Sequence, residues 1–65
     1  MIHFEEKEIT WKMGITLHDI VLMERVDDPA ILICLNEVVI HKSDWETTLV
    51  PDNGRIIIIP MMSGG

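Results

Sequence analysis

The sequence predicts an α+β domain, a mixed sheet of four to five strands packed on one helix. Three observations carry that expectation. Apolar residues alternate with polar ones through the first dozen positions, which is the period of a half-buried strand. A capped helical segment follows Gly14. Two continuous apolar runs, "AILICL" and "RIIIIP", then lie on either side of turn-forming residues.

Ile2 and Phe4 share one face of a short first strand, with His3 facing away. Glu5-Glu6-Lys7 is a polar turn. "EITWKM" predicts a second strand, with Ile9, Trp11 and Met13 alternating against Thr10 and Lys12. The two strands are close enough in sequence to form an antiparallel hairpin. Thr16 followed by Asp19 is a capping box with Asp in place of the commoner Glu, so a helix is expected from about Leu17 to Val26. Leu17, Ile20, Met23 and Val26 step by three along one face, with Val21 and Leu22 off that stripe. Asp27-Asp28-Pro29 should end the helix, because the residue before proline is pushed out of the helical region.

"AILICL" reads as a strand buried on both sides or nearly so. Asn36-Glu37 suits a tight turn, since Asn tolerates positive φ, and "VVI" follows as a short strand. Ser43 is expected to cap one helical turn, with Glu46 at the box position, Trp45 as a local core plug and Leu49 tucked behind it. Pro51-Asp52-Asn53-Gly54 is a turn, and the last strand runs from Arg55 to about Pro60. Four consecutive isoleucines make that strand central rather than an edge. The order β-β-α-β-β, helical turn, β, with the last strand inserted beside the first, is the β-grasp or ubiquitin-like arrangement. One domain over 1–60 and a flexible tail over 61–65 are expected.

The 65 residues carry eleven acids against five bases, a net charge of −6. This argues against nucleic acid and anionic membranes, both of which require basic surface, and suits a protein partner with a basic docking face. Cys34 is the single cysteine, which excludes an internal disulfide and points to a reducing compartment. No charged-then-apolar leader precedes the first strand, and no apolar run approaches a membrane span. The protein is expected to be cytoplasmic and mature from Met1. Cys34 sits in an apolar strand and reads as a small hydrophobe. His3, His18 and His41 fall on three elements at spacings that match no zinc pattern, so no metal is expected.

The strongest functional signal is the ending "MMSGG" directly after the apolar strand. With the hairpin, Gly14 before "TLHDIV", Leu35-Asn36, Trp45 in "SDW", the "PDNG" turn and terminal Gly64-Gly65, nearly the whole chain resembles the small sulfur carriers ThiS and MoaD. The chain length resembles ThiS, whereas "IIIIPMMSGG" is closer to the MoaD ending. The chain departs from the family pattern in having Asn36-Glu37 for Asn-Gly and no proline in "IHKSDW".

The resemblance implies a protein cosubstrate rather than an enzyme. The Gly65 carboxylate would be adenylated with ATP by a ThiF- or MoeB-like activating enzyme related to ubiquitin-activating enzymes. The adenylate would then be converted to a thiocarboxylate. The sulfur acceptor would be thiazole synthase, placed first, or the large subunit of molybdopterin synthase. A ubiquitin-like modifier joined through Gly65 is the remaining alternative. No permanently bound cofactor is implied.

Gly64 and Gly65 lack Cβ atoms and so can thread a narrow site. Ser63 and Met62 are the nearest side chains to the carbonyl. In a sheet covered by one helix, Ile56 and Ile58 point one way and Ile57 and Ile59 the other, so one pair risks exposure. Ile56 and Ile58, continued by Met61, Met62 and Ser63, are taken as the partner-binding set.

Overall fold

The computed structural model describes residues 1–26 and 30–60. The elements are β1 (Ile2–Phe4), β2 (Lys7–Ile9), α1 (Leu17–Glu24), β3 (Ile31–Leu35), β4 (Val38–Ile40), a 3-10 helix (Lys42–Thr47) and β5 (Arg55–Pro60). The five strands form one sheet in the order β2-β1-β5-β3-β4. β1 and β5 run parallel, and every other neighbouring pair is antiparallel. The last strand is therefore central, and the architecture is the expected β-grasp.

One face of the sheet carries Ile2, Phe4, Ile9, Ile33, Leu35 and Ile56 into a core shared with Leu17, Ile20 and Val21 of α1. Ile15, Trp45 and Val50 close the core from the connections. Trp45 is buried at 2% exposure and its indole N–H donates to the Ile40 carbonyl at 3.1 Å, which satisfies its polar atom inside the apolar cluster.

Local sequence explains the element ends. The Thr16 hydroxyl accepts from the Asp19 N–H at 3.2 Å and the Asp19 carboxylate accepts from the Thr16 N–H at 3.0 Å, the reciprocal bonds of a capping box. The helix stops earlier than expected. Arg25 turns left-handed at φ 56, and the Val26 N–H reaches back to the Val21 carbonyl at 3.1 Å, closing the helix in the Schellman manner. The Asp27-Asp28-Pro29 stop lies outside the described residues.

The buried face of α1 is Leu17, Ile20 and Val21, while Leu22 and Met23 are both exposed. A stripe of threes falls behind the true helical period. Spacing of i, i+3, i+4 keeps to one side, so Val21 goes in and Met23 comes out.

The second strand is also shorter than its alternation implied. Register pairs Ile2 with Ile9 and Phe4 with Lys7, so β1 has no residue left to pair beyond Ile9. Met13 is 89% exposed, and Trp11 instead packs against the core with its indole N–H on the Val50 carbonyl at 2.8 Å. The 3-10 helix is preceded by His41 with no side-chain cap, so Ser43 does not have the capping role expected of it. Leu49 bridges Thr16 and is exposed at 64%, whereas Val50, whose N–H donates to the Ile15 carbonyl at 3.0 Å, takes the buried position. The alternation of that bridge sends Ile15, Leu17 and Val50 inward and Thr16 and Leu49 outward.

Candidate functional site: the open sheet face and the end of β5

β5 is held on both sides. Its register with β3 runs from Leu35↔Ile56 to Ile31↔Pro60, and its register with β1 covers His3↔Arg55 and Phe4↔Ile56. Two turns fix its start. The Asn36 carboxamide oxygen accepts from the Arg55 N–H at 2.9 Å, and the Asn36 N–H donates to the Arg55 carbonyl at 2.9 Å. Asn36 and Glu37 have φ of 51° and 72°, the left-handed pair that a two-residue hairpin turn requires.

On the other side, Asn53 adopts φ 68° and the Gly54 N–H donates to the Pro51 carbonyl at 3.0 Å. A Cβ on Gly54 would meet the Pro51 oxygen at 3.0 Å and Val50 Cγ1 at 3.2 Å, so a side chain there would push this close turn apart by a few tenths of an ångström. The Met1 ammonium binds Asp52 at 2.7 Å, and this bond holds the Asp52 carboxyl below its ordinary range.

The alternation of β5 then decides which residues can meet a partner. Ile56 is 0% exposed and lies in the core, and Ile58 is only partly exposed and packs against that core. The expectation that these two form a docking pair is corrected. Pairing Phe4 with Ile56 in the parallel register places both on the helix side. The accessible isoleucines are Ile57 and Ile59, at 40% and 41%.

Register extends their surface. Ile57 lies opposite Cys34, which lies opposite Val39, and Ile59 lies opposite Leu32. Cys34 is buried at 8% yet stands apart from the helix-side core, between Ile57 and Val39 on the open face. Glu8, His3 and Arg55 make a polar row across β2, β1 and β5 at the far end of that face. The open face is thus polar where β5 begins and apolar toward Pro60.

Met61, Met62, Ser63, Gly64 and Gly65 lie outside the described residues. In sequence they follow Pro60 directly, so the apolar half of the open face and the start of that segment share one end of the sheet. Leu32 and Val39 were missed by sequence reasoning. Their alternation with Ile33 and Ile40 was visible, but only the strand register puts them beside Ile57 and Ile59. Among the described residues no three His, Cys, Asp or Glu side chains gather where they could hold a metal. No helix among them is long and apolar enough to cross a membrane.

A five-stranded sheet packed on one helix, with the last strand central, is the ubiquitin-like β-grasp body. The chain belongs to the ThiS family, whose family model matches residues 2–65, and is a ThiS/MoaD-like sulfur carrier. Among solved structures it is similar in fold to a thiamine biosynthesis protein (ThiS) from Geobacter metallireducens. That likeness has a TM-score of 0.79 and 18% identity, and covers 98% of this chain and 97% of that one. The search of curated proteins found no match.

Proposed function

We propose that the protein carries sulfur for the thiazole ring of thiamine on the carboxylate of Gly65. Membership of the ThiS family across residues 2–65 is the observation that supports this assignment most. The fold gives it a physical basis. β5 is paired on both sides at its start, so the body is a rigid handle, and the five residues that follow Pro60 in sequence are the part proposed to enter another protein.

A carboxylate is a poor electrophile, because its charge repels nucleophiles. In the proposed sequence a ThiF-like partner joins the Gly65 carboxylate oxygen to the α-phosphate of ATP, and pyrophosphate leaves. A sulfur nucleophile at the oxidation level of sulfide then attacks the acyl carbon. AMP departs with the bonding pair, and a thiocarboxylate remains. The acceptor is thiazole synthase. The carrier contributes no acid or base to these steps. It supplies the carboxylate, the diglycine that lets backbone approach closely, and a docking face. ATP is bound and used by the partner.

A deletion strain tests the pathway. The account expects growth to require thiamine, restored by the full chain and not by a chain lacking Gly65. A strain that keeps making thiamine but loses molybdoenzyme activity would instead assign the carrier to molybdopterin synthesis.

A further inference from the structure

Among the described residues, β5 has one side that is only partly covered. β1 pairs with it no further than Phe4↔Ile56, whereas β3 follows it to Pro60. The Arg55 N–H and carbonyl both point to Asn36 on the β3 side, and the Gly54 and Ile56 carbonyls accept from His3 and Glu5 on the β1 side. Backbone groups alternate along a strand, so Ile58 and Pro60 present theirs on the uncovered side.

Two donors could stand there. Pro60 has no N–H. The Ile58 N–H donates to the Glu5 carboxylate at 3.4 Å, an exposed bond at the long limit for such contacts. Glu5 itself sits at φ 52° in the β1–β2 turn. Glu5 and Glu6 line two open hollows, one shared with Phe4 and Lys7 and the other with His3, Arg55, Ile56 and Ile57.

We propose that the uncovered edge of β5 at Ile58–Pro60 is a strand-addition site for an extended, basic segment of the adenylating partner, and that Glu5 closes this edge in the free carrier. The inference rests on the function proposed above. Reach argues for that occupant. Gly65 lies five residues beyond Pro60, so a partner holding the Gly65 carboxylate has its active-site mouth within roughly 18 Å of this edge. Its nearest backbone can therefore offer a carbonyl to the Ile58 N–H and an N–H to the Ile58 carbonyl. Charge argues for the same occupant, because a displaced Glu5, with Glu6 beside it, requires a Lys or Arg in return.

The test uses the 65-residue carrier made by chemical synthesis, with an ester in place of the Ile57–Ile58 amide, which removes the Ile58 N–H and weakens the Ile57 carbonyl on the β3 side. The probe is the ThiF-like adenylating enzyme of the same organism. Carrier-dependent ATP–pyrophosphate exchange should show a half-saturating carrier concentration raised about fivefold by the ester, the loss expected for one hydrogen bond, with the maximal rate unchanged. In the unmodified chain, the Ile58 amide should exchange hydrogen faster than those of Ile57 and Ile59, faster still in Glu5→Ala, and become protected when the enzyme is added.

Equal half-saturation for ester and amide, with no added protection at Ile58, would overturn the edge proposal while leaving the carrier function standing. Protection at Ile58 that rises with carrier concentration alone would assign the edge to a second copy and overturn it too. If the unmodified carrier supports no exchange, the functional reading falls and the edge proposal with it.

Discussion

Asn36 and Arg55 are joined by two reciprocal hydrogen bonds, each 2.9 Å, that close the β3–β5 ladder one residue beyond Leu35↔Ile56. The same Asn36 is left-handed at φ 51°, so one side chain serves both the turn and the start of the central strand. Asn36→Ala removes the side-chain bond and leaves in the left-handed region a residue without the short polar side chain that lets Asn tolerate it, and should cost about 2 kcal/mol. Asn36→Gly keeps the backbone conformation and should cost about 1 kcal/mol. Urea unfolding of the two variants separates these contributions, and equal losses would show that the side-chain bond contributes alone.

Trp45 and Trp11 should differ sharply on truncation. Trp45 fills the core between sheet and 3-10 helix, and Trp45→Ala should cost about 3–5 kcal/mol. A domain of this length has roughly 3–10 kcal/mol in total, so that variant should lose a third or more of its stability and melt well below the parent. Trp11→Phe keeps most of the packing and loses the bond to the Val50 carbonyl, at about 1 kcal/mol. Far-ultraviolet circular dichroism with thermal melts checks both.

Ile57 and Ile59 should affect docking without affecting folding, and Ile56 the reverse. Replacing both exposed isoleucines by serine should leave the melting temperature within a few degrees and weaken binding of the adenylating partner about tenfold or more. Ile56→Ala should cost about 2–5 kcal/mol of stability. Titration calorimetry with the partner and urea unfolding of the carrier read the two effects separately. A double serine variant that binds like the parent would remove the open face from the docking surface.

Much of the frame was legible from local chemistry. The capping box at Thr16 and Asp19, the turn at Asn36, the Pro51–Gly54 turn and the central place of β5 each follow from residues a few positions apart. What depended on register was not legible. Which isoleucines are exposed could not be read, because a run of four has no internal asymmetry, and only Phe4 opposite Ile56 fixes its parity. The second strand was read too long because Trp11 and Met13 alternate correctly but have no partner on β1. Leu49 and Val50 exchanged places for the same reason, since their facing is set by a bridge to Thr16, 33 positions earlier in the chain.

Acid should weaken the helix cap. The Thr16 backbone N–H, and then its hydroxyl, hold the Asp19 carboxyl below its ordinary value of 3.8. A carboxylate with a lowered folded value contributes stability that is present above 3.8 and is lost as pH falls through the folded value. Asp19→Asn should therefore be less stable than the parent at neutral pH, with the gap closing as pH drops below that window. Urea midpoints measured from pH 7 to pH 2, the range of the assay, test this. A gap that stays constant with pH would mean the carboxylate charge contributes nothing.

The central claim concerns the last atom group of the chain, and the mass of that group tests it most directly. Carrier isolated from its thiamine-starved host, under conditions that preserve labile sulfur, should include a population in which one oxygen of the Gly65 carboxylate is replaced by sulfur. That population should vanish when the adenylating enzyme is deleted. Finding only the unmodified carboxylate while the host is synthesising thiamine would contradict the account.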